Sequence, residues 1–306
     1  MFNQFLTIYD ADSIMAMPNT FKAALWMFGA LMSFTAMAVA GREMASELDT
    51  FEIMMYRSII GVVIVLAIGG FAKSLGTVSR QRFGLHLIRN ICHFFGQNLW
   101  FFAIATIPFA QVFAFEFSTP IWVALMAPFF LGERLTKIRL ITIALGFVGI
   151  LVVAQPGTIT LSSGVIAAAL CAVGFAGTFI ATKLLSRTES TTCIMFWLAS
   201  IQLVLGIVFS FYDGDVTIPT IATVPFIVLV GCAGLLAHYC IIMALKYAPV
   251  MFIAPIDFLR LPIIVFIGAS FYNEAINVWV IVGAIIVFGA NILNIWGQSK
   301  VKQQTQ

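Results

Sequence analysis

The chain has 306 residues, 61% of them hydrophobic and only 9% charged, against a soluble norm of roughly half apolar and about a quarter charged. One soluble core cannot hide that much apolar surface, so lipid must act as solvent for most of it. A net charge of +3 without a Lys/Arg-rich block excludes nucleic acid as a partner.

Residues 1–22 carry Asp10 and Asp12 and lack the basic start and small-residue cleavage site of a signal peptide. They read as a retained cytoplasmic or interfacial tail. A helix needs about 20 mostly apolar residues to cross the hydrocarbon. Runs of this kind fall at 23–41, 51–71, 84–104, 108–131, 137–155, 163–182, 192–211, 224–245, 250–272 and 276–297, followed by a tail at 298–306. Lipid offers no partners to exposed backbone groups, so each run must be helical. The expected fold is an all-α polytopic membrane protein of ten transmembrane helices. An N-terminus in the cytoplasm puts twelve Lys and Arg residues inside and Arg42 alone outside, where Glu43, Glu47, Asp49, Asp213 and Asp215 gather. That bias follows the positive-inside rule and makes both termini cytoplasmic.

The chain also repeats itself. Residues 103–133 align without a gap on 244–274, at an offset of 141 that superposes Pro108 on Pro249, Phe117 on Phe258, Glu133 on Glu274 and Glu116 on Asp257. The same offset pairs Arg42 with Lys183 and Ile53 with Ile194. Two repeats, 23–155 and 162–297, therefore contain five spans each. An odd number inverts the second copy relative to the first, an architecture of secondary transporters whose substrate site lies near the midplane between the repeats.

With LGER closing the fourth span, NEA closing the ninth, and RNICHFFGQNLWFFAIATIPFAQVFAFEFSTPIW over residues 89–122, the chain resembles the EamA family of the drug/metabolite transporter superfamily. The resemblance covers roughly residues 23–297. It implies a transporter whose third, fourth, eighth and ninth helices line a central cavity, in a family that moves amino acids, S-adenosylmethionine, riboflavin and other metabolites. The second copy departs from LGE at Tyr272-Asn273-Glu274, keeping only the acid.

Ionisable residues inside a span are costly and mark function by default. Here they are Arg57, Arg89, His93, Glu116, His238, Asp257 and Arg260. At about 1.5 Å per residue, Arg57 and Glu116 lie about 9 and 12 Å deep from outside, and Arg89 and Asp257 about 8 and 10 Å from inside. Those depths suggest two pairs. Arg260, about 15 Å deep, is left without an acid and becomes the expected holder of a substrate carboxylate or phosphate. Glu116 or Asp257 would then meet a substrate amine or carry a coupling proton, a role for which His93 is also a candidate. The plainer alternative is a set of closed ion pairs fixing helix packing.

His86, Arg89, Asn90, His93, Gln97 and Trp100 form a polar-aromatic stripe down one face of the third span, and the offset brings His238 and Tyr239 opposite Gln97 and Asn98. Such a face lines a cavity or supplies interhelical hydrogen bonds; His86, near the headgroups, is left out of the expected site. Glu133 and Glu274 precede the last span of each repeat, where a carboxylate complements a helix N-terminus. Pro120 and Pro262 follow the two acids and are candidate hinges. The five cysteines (Cys92, Cys171, Cys193, Cys232 and Cys240) are unpaired in spacing and show no zinc-like pattern with histidine. No metal and no cofactor is expected.

The function expected is secondary transport of an amino-acid-like, zwitterionic or carboxylate-bearing metabolite across a bacterial inner membrane. A phosphate-bearing or other anionic metabolite is the second reading. The partners are that substrate, the lipid bilayer, a coupling proton and a second copy in a homodimer. Among other classes, a channel or lipid scramblase stays open. An intramembrane enzyme does not, because no HExxH or paired-aspartate motif occurs and Ser270 has no activating histidine in the following span.

Overall fold

A computed structural model describes residues 19–132, 136–155, 162–212, 214–248, 253 and 256–304. Glu133, Asp213, Pro249 and residues 1–18 lie outside the described residues. Eleven α-helices occur among the described residues: α1 (Asn19–Met44), α2 (Thr50–Phe71), α3 (Phe83–Thr106), α4 (Phe109–Glu116), α5 (Thr119–Leu131), α6 (Lys137–Ala154), α7 (Ser163–Leu185), α8 (Thr191–Ser210), α9 (Val224–Tyr247), α10 (Arg260–Phe271) and α11 (Val278–Gln304). The first begins at Asn19 rather than at 23.

The ends follow from local chemistry. Asp49 accepts from the Phe51 and Glu52 amides at 2.7 and 2.8 Å while Glu52 accepts from the Asp49 amide at 2.9 Å, a full capping box that starts α2. Ser190 starts α8 in the same way, accepting from the Cys193 amide at 3.1 Å. Ile107, extended before Pro108, stops α3.

Eight stretches are long and apolar enough to cross a membrane, α4 and α5 counting together as Phe109–Leu131. Two expected spans are not among them. α3 has the length, but seven of its side chains (His86, Arg89, Asn90, His93, Gln97, Asn98 and Trp100) are polar or part-polar and buried. Of the ninth span, the described residues include the short apolar helix α10; residues 250–252 and 254–255, in its first half, lie outside the described residues. Apolar side chains such as Leu140, Ile141, Val148 and Leu151 on α6 and Phe129 on α5 face outward, as a lipid-facing surface requires.

The helices pair as α1 with α9, α3 with α7, α2 with α8, and α6 with α11. Each pair joins the first half of the chain to the second. The offset of 141 maps α1 onto α7, α3 onto α9, α2 onto α8 and α6 onto α11, so exchanging the halves maps this set of pairings onto itself. Some lesser contacts follow the same exchange: α5 meets α7, and its counterpart α10 meets α1. Phe117 and Phe258, matched in sequence, stack on one another with centroids 4.4 Å apart and planes at 25°.

α3 and α7 approach at backbone distance where a Cβ on Gly174 would lie 2.8 Å from the Gly96 Cα. Gly174→Val must push the two helices apart. It is expected to lower stability in detergent by about 1–3 kcal/mol, the usual cost of overpacking. Gly70→Ala, where a Cβ meets nothing within 4 Å, should not lower it.

Candidate functional site

The break between α4 and α5 creates the first half of the site. Pro120 has no amide to offer the Glu116 carbonyl, four residues back; the Thr119 hydroxyl donates to that carbonyl instead, at 2.6 Å. The Ser118 hydroxyl donates to the Phe115 carbonyl at 2.6 Å, and Asn291 on α11 donates to the Phe117 carbonyl at 2.8 Å. Pro120 thus sits in the first turn of a new helix, where proline is tolerated. Pro262 lies likewise in the first turn of α10. The two turns, at Phe117-Ser118 and Phe258-Leu259, occupy matched positions.

Between these turns lies one buried cation. The Arg260 Nη2 is 3.0 Å from the Glu116 Oε1 and 3.5 Å from the Asp257 Oδ2. Its guanidinium carbon stands 4.9, 5.1 and 5.0 Å from the ring centroids of Phe34, Phe113 and Phe117, within cation–π range. The Trp100 indole donates to the other Glu116 oxygen, Oε2, at 2.7 Å. This overturns the pairing expected from depth. Arg260 is not the arginine without an acid; it holds both. Depth along isolated helices could not show that the two chain breaks face each other.

Arg57 and Arg89 are the acid-free arginines. Among the described residues neither has a carboxylate within ion-pair distance. Arg57, 9% exposed, donates to the Gln97 carbonyl oxygen and lies 3.4 Å from the Met54 sulfur. Space for its guanidinium comes from Gly234, where a Cβ would lie 3.2 Å from the Arg57 Nη2. Arg89 donates to the Thr182 hydroxyl at 2.7 Å and meets the Asn90 Oδ1 at 3.4 Å. His93 and His238 stand 6.3 Å apart, ring to ring. Phe175 packs on His93 and Phe34 on His238, with centroids 6.2 and 5.8 Å apart. Neither ring nitrogen of His93 has a partner, and the Asn98 Oδ1, Asp257 Oδ1 and Arg260 Nε are buried without one.

The structure therefore gathers Arg57, Arg89, His93, Gln97 and His238 into an acid-free basic cluster, and Trp100, Glu116, Asp257 and Arg260 into one in which two carboxylates share a single guanidinium. Tyr239 does not join them: it is half exposed and edges onto Trp26. Sequence reasoning missed Phe34, Phe175 and Thr182. The two phenylalanines are matched by the repeat offset, a signal that could have found them.

Arg42 and Glu274 close the structure at one end. They form an ion pair; Arg42 also donates to the Ile104 and Ile107 carbonyls at 2.6 Å each, completing the end of α3. The Glu274 carboxylate accepts from the Phe109 amide, its two oxygens at 3.1 and 3.0 Å, and so caps α4. A carboxylate at a helix N-terminus was expected, but on its own following helix; the helix it serves belongs to the other half of the chain. Gly268 leaves room for it, since a Cβ there would lie 2.2 Å from the Glu274 Oε2. Glu274→Ala strands the Arg42 guanidinium and the Phe109 amide. A loss of about 1–3 kcal/mol per unsatisfied group is expected as a lower melting temperature in detergent.

The EamA-like transporter family model matches the chain twice, over residues 21–155 and 162–296. A riboflavin transporter of Brucella anthropi is 30% identical over 69% of this chain and 76% of its own length. An S-adenosylmethionine uptake transporter of Rickettsia bellii is 24% identical over 90% of this chain and 94% of its own. One solved crystal structure, 19% identical, superposes with a TM-score of 0.62 over 91% of this chain and 98% of that one, which shows a shared fold.

Proposed function

We infer that this chain, which belongs to the EamA-like transporter family, is a secondary transporter of the bacterial inner membrane that moves a carboxylate- or phosphate-bearing metabolite by alternating access. Transporters, not enzymes, are its named relatives. In this reading ten spans form two inverted five-helix repeats, with both termini in the cytoplasm. The exchange of helix pairs between matched elements and the Phe117–Phe258 stack support it. Two similar halves of opposite orientation can swap conformations, and each swap opens the site to the other side.

The observation that carries the substrate class is the partition of charge. Arg260 takes both acids, so the positive charge that has no acid beside it sits on Arg57 and Arg89. A planar guanidinium fork suits a carboxylate or phosphate, and the aromatic rings of Phe34 and Phe175, packed on His238 and His93, offer flat faces to the rest of the molecule. The substrate-binding residues are then Arg57, Arg89, His93, Gln97 and His238, with Trp100, Glu116, Asp257 and Arg260 as the movable joint between halves. Both Glu116 oxygens are engaged, whereas the Asp257 Oδ1 is not. Asp257 is therefore the better carrier of a coupling proton. The same free oxygen favours a second reading, in which a substrate amine meets Asp257 and the metabolite is zwitterionic.

Thermal unfolding of the purified protein against a metabolite panel separates these readings, because a ligand of the folded state raises its melting point. Anionic heterocyclic metabolites should shift it most. Riboflavin and S-adenosylmethionine belong in the panel as the substrates named for relatives. A panel in which only cations shift the melting point would overturn the anionic class.

A further inference from the structure

Away from the central site, three potential metal ligands converge from three elements. His86 lies on α3, Glu189 in the turn after α7 and Cys193 in the first turn of α8, and one ligand atom of each lies within 4.8 Å of the others. The Cys193 sulfur and the His86 Nε2 are 3.8 Å apart. Both residues are fully buried, and the His86 Nδ1 has no partner.

The repeat makes the cluster unexpected. The offset of 141 places Cys193 on Glu52, Ser190 on Asp49, His86 on Ile227 and Glu189 on Leu48. In the first half, Glu52 completes a capping box and accepts the Thr217 amide of a facing segment at 2.5 Å. In the second half, Cys193 holds a facing segment too, accepting the Ser79 amide at 3.3 Å. That shared role accounts for a polar atom at Cys193. It does not account for His86 and Glu189, because the matched Ile227 and Leu48 are buried hydrophobics. Burying an imidazole at His86 costs free energy that the matched isoleucine does not, and Glu189 is half-buried beside it.

We propose that His86, Glu189 and Cys193 bind a divalent transition metal of the zinc type. Thiolate, imidazole and carboxylate are the ligands zinc takes, and three protein ligands leave one position for water or another oxygen. On binding, the Cys193 thiol releases its proton to solvent as the sulfur–metal bond forms. Thiolate and carboxylate together then offset the 2+ charge. The ion would join α3 of the first half to α8 of the second, clamping the halves on the side assigned above to the cytoplasm.

Cobalt(II) is the probe. Tag-free protein should take up one equivalent with a thiolate-to-cobalt charge-transfer band, displaced by zinc. The double variant His86→Ile with Glu189→Leu copies the matched positions of the other half, so it should fold. It should bind cobalt at least about tenfold more weakly, since even loss of an outer-shell partner has an effect of that size. Cys193→Ser should abolish the band. Wild-type protein without a thiolate–cobalt band, or a band of unchanged strength in either variant, overturns the proposal whether or not transport is seen.

Discussion

Replacing Arg260 with alanine is expected to cripple both folding and transport. The substitution leaves Glu116 and Asp257 facing each other with no cation between them. Glu116 is 15% and Asp257 30% exposed, and breaking a buried ionic group by removing one member costs about 3–5 kcal/mol. Arg260→Lys should recover only part of the loss, because an ammonium point charge cannot bridge two carboxylates and stack on three rings at once. The informative variant is the triple Glu116→Gln, Asp257→Asn, Arg260→Met. Replacing a whole buried ionic group by neutral side chains is often neutral or stabilising by about 1–4 kcal/mol. The triple variant should therefore regain the wild-type melting temperature in detergent while staying inactive in proteoliposomes. If Arg260→Ala melted and transported like the wild type, the cluster would be neither joint nor support.

Arg57→Met should separate the two properties in the opposite sense. Arg57 has no acid to strand, only Gln97 and the Met54 sulfur. Removing it deletes a desolvated cation, so stability should hold or rise. Substrate affinity should fall roughly ten- to hundredfold, the equivalent of one charge-assisted hydrogen bond of about 1.5–3 kcal/mol. Gly234→Val offers an independent check: its side chain would crowd the guanidinium, 3.2 Å from a Cβ at that position, and should weaken binding without changing charge. The measurement is the concentration of ligand needed for half the maximal thermal shift. Unchanged affinity in both variants would move the substrate away from α2.

How much of this was legible in the sequence divides along one line. Features with a local cause were readable: of the ten apolar runs expected to span, eight are stretches able to cross a membrane among the described residues, and the polar stripe on α3 is buried from His86 to Trp100. Features that depend on which elements meet were not. Depth along separate helices paired Arg57 with Glu116 and Arg89 with Asp257, because it carries no azimuth and no knowledge that the broken helices face each other. Proline signalled a kink, yet the structure has a full break, with hydroxyls of Ser118 and Thr119 and the amide of Asn291 serving the carbonyls that the helix abandons. Glu274 announced a helix cap but not whose. The His86–Glu189–Cys193 cluster was invisible to spacing rules, since Cys193 and His86 are 107 residues apart. The repeat offset held more than was drawn from it: it matches Phe34 to Phe175 and, by contrast with Leu48 and Ile227, exposes the metal-ligand cluster as an addition.

Counterflow in proteoliposomes tests the central claim most directly. Vesicles preloaded with the unlabelled metabolite that gives the largest thermal shift are diluted into a trace of its labelled form. An alternating-access carrier predicts a transient overshoot of label above equilibrium, saturable in the preloaded metabolite, absent in Arg260→Ala and needing more substrate in Arg57→Met. Label that equilibrates without overshoot at every preload concentration would contradict a carrier built from two exchanging halves.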